Sequence, residues 1–152
     1  MAKKFIAYSL FFLNLASILF FWWHSSGSLF KSTAGDIFIA LGRLSGLLAV
    51  NFVLLQFFLM GRTMWIERAF GLDKLSRIHH WNGYLSISFI ILHPILITTG
   101  YALNNQISYV AQFRHFILGY QHVLMAFIAA CLFIVIVFFT VYIVKRRLKY
   151  ES

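Results

Sequence analysis

The chain of 152 residues has few residues of the kinds that soluble and disulfide-built domains need. It contains one cysteine, which cannot form an internal disulfide, and only four acidic residues. Charged residues make up 11% of the sequence, whereas soluble domains carry about 25%. Because 61% of the residues are hydrophobic, a disordered chain, a disulfide scaffold and an ordinary soluble enzyme are all excluded. The composition therefore indicates an integral membrane protein.

Four apolar stretches are long enough to cross a bilayer as helices, each of which takes about 20 residues. No stretch alternates apolar and polar residues as a membrane β-strand would. The first stretch follows two lysines, as in a signal peptide, but it is too long and lacks a cleavage site, so it is interpreted as an uncleaved span. The sequence predicts an all-α membrane protein, an up-down bundle of four transmembrane helices in a single domain over residues 1–152. The spans are expected at about residues 5–23, 37–60, 81–102 and 121–144.

Lysine and arginine are distributed unevenly around these spans. Ten fall in the N-terminal end, the segment 61–80 and the basic tail 145–152, which share one side of a four-span protein. Two, Lys31 and Arg114, fall on the opposite side. Because the loops and ends that flank membrane spans carry more lysine and arginine on the cytoplasmic side, both termini are predicted to be cytoplasmic. This bias also explains the net charge of +9 without a nucleic-acid partner.

The inner segment 61–80 mixes apolar residues with charged ones. This pattern is typical of a short amphipathic segment on the membrane surface, and a plain connector is the alternative. No glycine-rich nucleotide-binding loop is present in the sequence. We therefore expect no flavin or nicotinamide domain within these 152 residues.

Two histidines of the third span lie on one helical face. His79 and His93 are 14 residues apart, which is 40° short of four whole turns at about 100° per residue, and about 21 Å along the axis. His80 lies about 140° from His93 on the same helix. Two haems stacked across a membrane need ligands with this separation, and imidazole is a common haem ligand. Hydrogen bonds from both histidines to neighbouring helices are the alternative.

Two further features of the spans are candidates for function. Pro94, the single proline, can kink the helix and open space beside His93. Arg43 lies in the second span, where it either extends its side chain to the outer surface or neutralises an anion such as a haem propionate. Small residues beside Arg43 allow another helix or a flat cofactor to approach closely. They are Gly42, Ser45 and Gly46.

The remaining histidines and the cysteine are interpreted without a role. His24, His115 and His122 are expected to face water or lipid headgroups at the outer surface. Cys131 is expected to be a small side chain in an apolar run.

Three motifs follow one another along the chain: Leu41-Gly42-Arg43-Leu44-Ser45-Gly46, Arg62…Trp65-Ile66-Glu67…Gly71-Leu72-Asp73, and His79-His80-Trp81-Asn82-Gly83-Tyr84…Leu92-His93-Pro94. Together they resemble the ferric reductase-like transmembrane domain, the haem-bearing membrane part of ferric reductases and NADPH oxidases. In the family's bacterial motif, His-Arg-Trp-Leu-Gly precedes His-Pro; here His80 replaces the arginine and Asn82 the leucine. The resemblance runs from about residue 41 to the end of the sequence.

The resemblance implies a six-helix domain with two haem b groups, of which this chain resembles the first four helices. His79 and His93 would be axial ligands of the inner and outer haem iron, and Arg43 a propionate partner. Electrons would come from FAD and NAD(P)H on a separate domain or subunit and would leave to an external acceptor such as ferric iron or oxygen. A bacterial inner membrane is the implied location.

The resemblance also implies a fifth and a sixth helix, and the printed sequence stops before them. The fifth helix of the family carries the second axial ligands. We therefore expect the ligands to come from a longer chain, from a partner subunit or from a second copy in a homodimer, with one or two haems bound. A cofactor-free membrane scaffold or assembly subunit is the alternative function. A transporter is less favoured because no acidic residue accompanies Arg43 in the spans.

Overall fold

The computed structural model describes residues 2–61 and 64–150, without the side chains of residues 2, 3, 65 and 144–150. These residues form six α-helices and one short 3-10 helix, with no β-strand in the described ranges. The predicted all-α class is confirmed. The helices are α1 (Ala2–Ser26), α2 (Ala34–Met60), α3 (Met64–Phe70), α4 (Leu72–Asn105), α5 (Tyr109–Gly119) and α6 (Gln121–Tyr150), with the 3-10 helix Gly27–Lys31 after α1.

Four of these helices, α1, α2, α4 and α6, are long and apolar enough to cross a membrane, as predicted. The third is longer than the sequence pattern suggests, because α4 begins at Leu72 rather than near residue 81. The positive φ of 78° at Gly71 separates α4 from α3. Residues 72–80, of which Leu72, Leu75 and Ile78 are apolar, form the first turns of α4. The segment 61–80 is therefore mostly helical. Arg62 lies outside the described residues, and the predicted membrane-surface position of the segment stays a prediction.

Helices α2 and α4 pack against each other in antiparallel directions along most of their length. Their backbones approach most closely where small residues meet. A Cβ placed on Gly100 would lie 2.7 Å from the carbonyl oxygen of Gly35 and 2.9 Å from the backbone nitrogen of Ile39. Real Cβ contacts are essentially never this short, so both glycines are needed for the observed spacing. Two of the small residues that were expected to admit a close neighbour, Gly42 and Gly46, likewise face α4, where an added Cβ would lie 2.8 Å from Ile97 and 2.7 Å from His93.

Helix α1 contacts this pair at both of its ends. Near its C-terminus the buried indole of Trp22 donates a 2.7 Å hydrogen bond to the carbonyl oxygen of Ala40. Near its N-terminus the ring of Tyr8 packs edge-on against Phe70, and the Lys74 ammonium donates to the Tyr8 hydroxyl at 3.3 Å. The start of α1 therefore lies at the same end of the helices as α3 and the start of α4, as the predicted topology requires.

A polar clasp, formed by Thr33, Asp36 and Asn104, joins the first turn of α2 to the last turn of α4. Thr33 is the N-cap of α2 and forms a capping box with Asp36. The Asn104 amide donates to the Asp36 carboxylate at 2.8 Å, and the Thr33 hydroxyl donates to the Asn104 oxygen at 2.9 Å. The clasp satisfies one of the four acidic side chains of the chain and fixes the register of the two helices.

The chain divides into two units, residues 1–107 and 108–152, and the second consists of α5 and α6. Ser108 caps α5, with its hydroxyl accepting from the backbone N–H of Ala111. Phe113 of α5 packs edge-on against Phe127 of α6. The sequence reasoning did not anticipate α5. The side chains of the basic tail, 145–152, lie outside the described residues.

Candidate functional site

His79 and His93 lie on the face of α4 that packs against α2. The ring of His93 contacts the backbone of Gly42, and the ring of His79 contacts the side chain of Gln56. The common face predicted from their spacing is confirmed. His80 lies elsewhere on the helix, where it is exposed and packs edge-on against Tyr84 with ring centroids 4.8 Å apart.

The His93 imidazole is fixed by one hydrogen bond and one close contact. Its Nδ1 atom lies 2.8 Å from the carbonyl oxygen of Gly42, which also accepts from the Ser45 hydroxyl. Because a carbonyl only accepts, Nδ1 carries the proton and Nε2 carries the lone pair. The ring lies so close to α2 that a Cβ on Gly46 would be 2.7 Å from Nδ1. Nε2 makes no hydrogen bond with the residues that the structure describes.

The His79 imidazole belongs to a polar network between the same two helices. The Gln56 amide nitrogen lies 3.2 Å from His79 Nε2 and 3.0 Å from the His79 carbonyl oxygen. Asn82 donates to the Gln56 side-chain oxygen at 2.6 Å and to the Phe52 carbonyl oxygen at 2.7 Å. The other ring nitrogen of His79, Nδ1, is buried and has no hydrogen-bond partner among the described residues.

Arg43 is exposed on α2, within one helical turn of the glycines that contact His93. Its Nη1 atom donates to the hydroxyl of Ser26 at 3.4 Å, and Ser26 itself is completely buried. A guanidinium has five N–H donors in a planar fork that matches a carboxylate. Arg43 therefore keeps most of its donors available for an anion at the depth of His93.

The other histidines are exposed, as expected. His24 lies near the end of α1, His115 on α5 and His122 at the start of α6. Because α5 ends at Gly119, His115 and His122 do not share one helix. A shallow cavity on α5 is lined by Ala111, Arg114, His115, Leu118 and Gly119. Cys131 of α6 is also exposed.

The described part of the chain holds separate histidines and no cluster of metal-ligating side chains. Within residues 2–61 and 64–150, no three His, Cys, Asp or Glu side chains come together as metal ligands. A haem iron needs only one protein ligand on each face of the macrocycle. His79 and His93 can each supply one such ligand.

Sequence reasoning missed the residues that hold the two imidazoles. Gln56, Asn82 and the carbonyl oxygen of Gly42 were not predicted to contact a histidine. Asn82 stood inside a recognised motif, and Gln56 is a polar residue in an otherwise apolar stretch. Both signals were present, but only the register of α2 against α4 links them to His79.

A family model described as ferric reductase like transmembrane component matches residues 45–152. This range contains both histidines, Gln56 and Asn82, and it begins two residues after Arg43. Comparison with curated proteins and with solved structures gives no match.

Proposed function

The chain belongs to the ferric reductase like transmembrane component family, and from this premise we propose that it is a haem b-binding electron-transfer module of the membrane. The observation that supports the proposal is the hydrogen bonding of the two ring nitrogens of His93. Its Nδ1 proton is bound to a backbone carbonyl, and its Nε2 lone pair is unused among the described residues. Histidines that ligate metals almost always have their second nitrogen anchored in this way.

The residues present also fit haem as a ligand by their placement. His79 and His93 supply two separated imidazoles on one face of α4. His79 and His93 would hold the iron of the inner and of the outer haem.

Bound haem would supply one-electron transfer across the bilayer, and the chain's own residues would hold and tune it. Gly42 orients the His93 ring and raises its basicity by accepting the Nδ1 proton in a hydrogen bond. Arg43 lies at the depth of His93 and would offset the charge of a propionate there.

His79 and His93 would hold haem together with further ligands from a protein surface beyond this helix pair. Those ligands would come from two further helices of a longer chain, from a partner subunit or from a second copy. In a homodimer, a two-fold axis along the membrane normal brings identical residues to equal depth. The electron donor in the proposal is a cytoplasmic flavin domain or subunit fed by NAD(P)H, and the acceptor is extracytoplasmic ferric iron or oxygen.

The test is the haem content of the purified full chain and of two single variants. The protein is isolated in mild detergent from haem-replete cells and assayed by pyridine haemochrome and by reduced-minus-oxidised spectra. We expect a low-spin b-type spectrum from the wild type. His79→Ala and His93→Ala are each expected to lower the haem content by about half, because each removes one of two ligand positions.

The matched control is His80→Ala, which removes an exposed histidine from the same helix. Its haem content should equal that of the wild type. A wild type that carries no haem both alone and when the missing helices are supplied in trans, or two ligand variants that keep a full complement, would contradict the proposal.

We also propose that the chain lies in a bacterial inner membrane, as its resemblance to bacterial members of the family implies, with both termini in the cytoplasm, as the lysine and arginine bias predicts. The orientation is tested with two proteins that each carry one new cysteine in a Cys131→Ala background. Ser28→Cys, after α1, should react with a membrane-impermeant thiol reagent from outside intact cells. Ser76→Cys, at the start of α4, should react only after the cells are broken. The reverse pattern would contradict the predicted orientation.

A further inference from the structure

The two histidines are held in different ways, and the difference concerns the nitrogen that a haem iron would take. We propose that Gln56 is a positioning residue that occupies His79 Nε2 in the haem-free protein, so that the His93 position accepts haem first and the His79 position accepts it only after Gln56 releases the ring. This inference rests on the proposed function.

The orientation of both amides follows from two backbone carbonyls that can only accept hydrogen bonds. The side-chain nitrogen of Asn82 lies 2.7 Å from the carbonyl oxygen of Phe52 and donates a hydrogen bond to it. The same nitrogen lies 2.6 Å from the Gln56 side-chain atom, which must be the oxygen. The Gln56 nitrogen then faces His79, as its 3.0 Å contact with the His79 carbonyl oxygen also requires.

The tautomer of His79 follows in turn. Since the Gln56 nitrogen is a donor, His79 Nε2 accepts at 3.2 Å, and the ring proton of the neutral imidazole lies on Nδ1. This proton is buried without an acceptor among the described residues. His79 is therefore held through its lone pair, and the opposite nitrogen remains unsatisfied.

His93 has the opposite arrangement with the same tautomer. Its Nδ1 proton is satisfied by the Gly42 carbonyl oxygen at 2.8 Å, and its Nε2 lone pair has no hydrogen-bond donor in the described part of the chain. Iron would bind His93 without breaking a hydrogen bond. Binding to His79 Nε2 would first break the bond from Gln56, while the proton stays on Nδ1 and Gln56 keeps its other two partners.

The expected effect is a difference in haem affinity between two variants that each keep one position. His79→Ala isolates the His93 position and His93→Ala isolates the His79 position. Haemin titration of each full-length variant in detergent, followed by absorbance, should give a tighter complex for His79→Ala. Adding Gln56→Leu to His93→Ala should tighten haem binding roughly fivefold, because a net hydrogen bond to Nε2 no longer has to be broken.

Two controls separate the effect of the hydrogen bond between Gln56 and His79 from a general disturbance of the helix pair. Gln56→Leu added to His79→Ala should leave haem affinity unchanged, since Gln56 does not touch His93. Asn51→Leu replaces another buried amide of α2 whose nitrogen has no partner among the described residues, and it should change neither position. Helix content measured by circular dichroism accompanies every variant.

A second measurement needs no haem. In the protein labelled with ¹⁵N-histidine, nuclear magnetic resonance should show both His79 and His93 as the Nδ1–H tautomer. Gln56→Leu should shift the Nε2 resonance of His79 and leave that of His93 in place.

The outcomes distinguish the inference from the proposed function. If the wild type and both single variants bind no haem even when the missing helices are supplied in trans, the proposed function fails, and the labelled protein still tests the hydrogen bond. If haem binds but Gln56→Leu leaves the His79 position unchanged or weakens it, Gln56 does not restrain the ligand and the inference is wrong. An Nε2–H tautomer at His79 in the wild type overturns it as well.

Discussion

Gly46→Ala is expected to weaken haem binding at the His93 position by about 10- to 100-fold, the usual effect of losing the residue that orients a metal ligand. The added Cβ would lie 2.7 Å from Nδ1 and 2.9 Å from Cε1 of His93, so the ring has to move away from α2. Its hydrogen bond to the Gly42 carbonyl oxygen then breaks, and Nε2 loses its fixed direction. The measurement is haemin titration in the His79→Ala background, in which only the His93 position remains.

The matched control for this prediction is Gly61→Ala at the C-terminal end of the same helix. A Cβ there would meet only backbone oxygens at 3.5 Å, an ordinary contact, so haem affinity should not change. Equal haem affinity in Gly46→Ala and Gly61→Ala would show that the contact between Gly46 and His93 does not control the ligand.

Gly100→Ala is expected to destabilise the α2–α4 pair by about 1–3 kcal/mol, the usual cost of an overpacked site. The new methyl group would meet the carbonyl oxygen of Gly35 at 2.7 Å and the backbone nitrogen of Ile39 at 2.9 Å. Backbone atoms cannot rotate away as a side chain can, so the helices must separate at this point. The measurement is the free energy of unfolding in detergent, followed by circular dichroism.

A matched glycine is available in α5. Gly119 has no atom within 4 Å of its added Cβ, and Gly119→Ala should leave the unfolding free energy almost unchanged. Because Gly100 lies about two turns from His93, the Gly100→Ala protein should also show a changed His93 environment by ¹⁵N resonance. A Gly100→Ala protein as stable as Gly119→Ala would mean that the helix pair tolerates a wider spacing than the structure shows.

The features that the sequence predicted correctly are those set by periodicity along a single helix. The common face of His79 and His93 follows from 14 residues at a fixed rotation per residue, and it needs no knowledge of a neighbour. The four long apolar helices follow from the length and composition of single stretches, which also need no knowledge of a neighbour. The small residues near Arg43 predicted a close approach, although they could not show whether a helix or a cofactor makes it.

The features that were missed depend on contacts between helices or on weak local signals. The link from Gln56 to His79 joins residues 23 positions apart and exists only in one register of α2 against α4. Six of the nine residues 72–80 are polar, so hydropathy did not extend the apolar span into this segment, and the start of α4 at Leu72 was not predicted. Helix α5 is short, and its outer segment was interpreted as a loop. The assignment of His79, His93 and Arg43 to haem stays a prediction.

The polar clasp has a consequence for the biogenesis of the protein. Asp36 stands at the start of α2, but its Asn104 partner is synthesised 68 residues later, at the end of α4. Until α4 has been made, the carboxylate has side-chain partners only in its own segment of the described chain, Ser32 and Thr33. The two helices can therefore be joined at this end only after the whole hairpin has been synthesised, so their register is set late in the insertion of the chain.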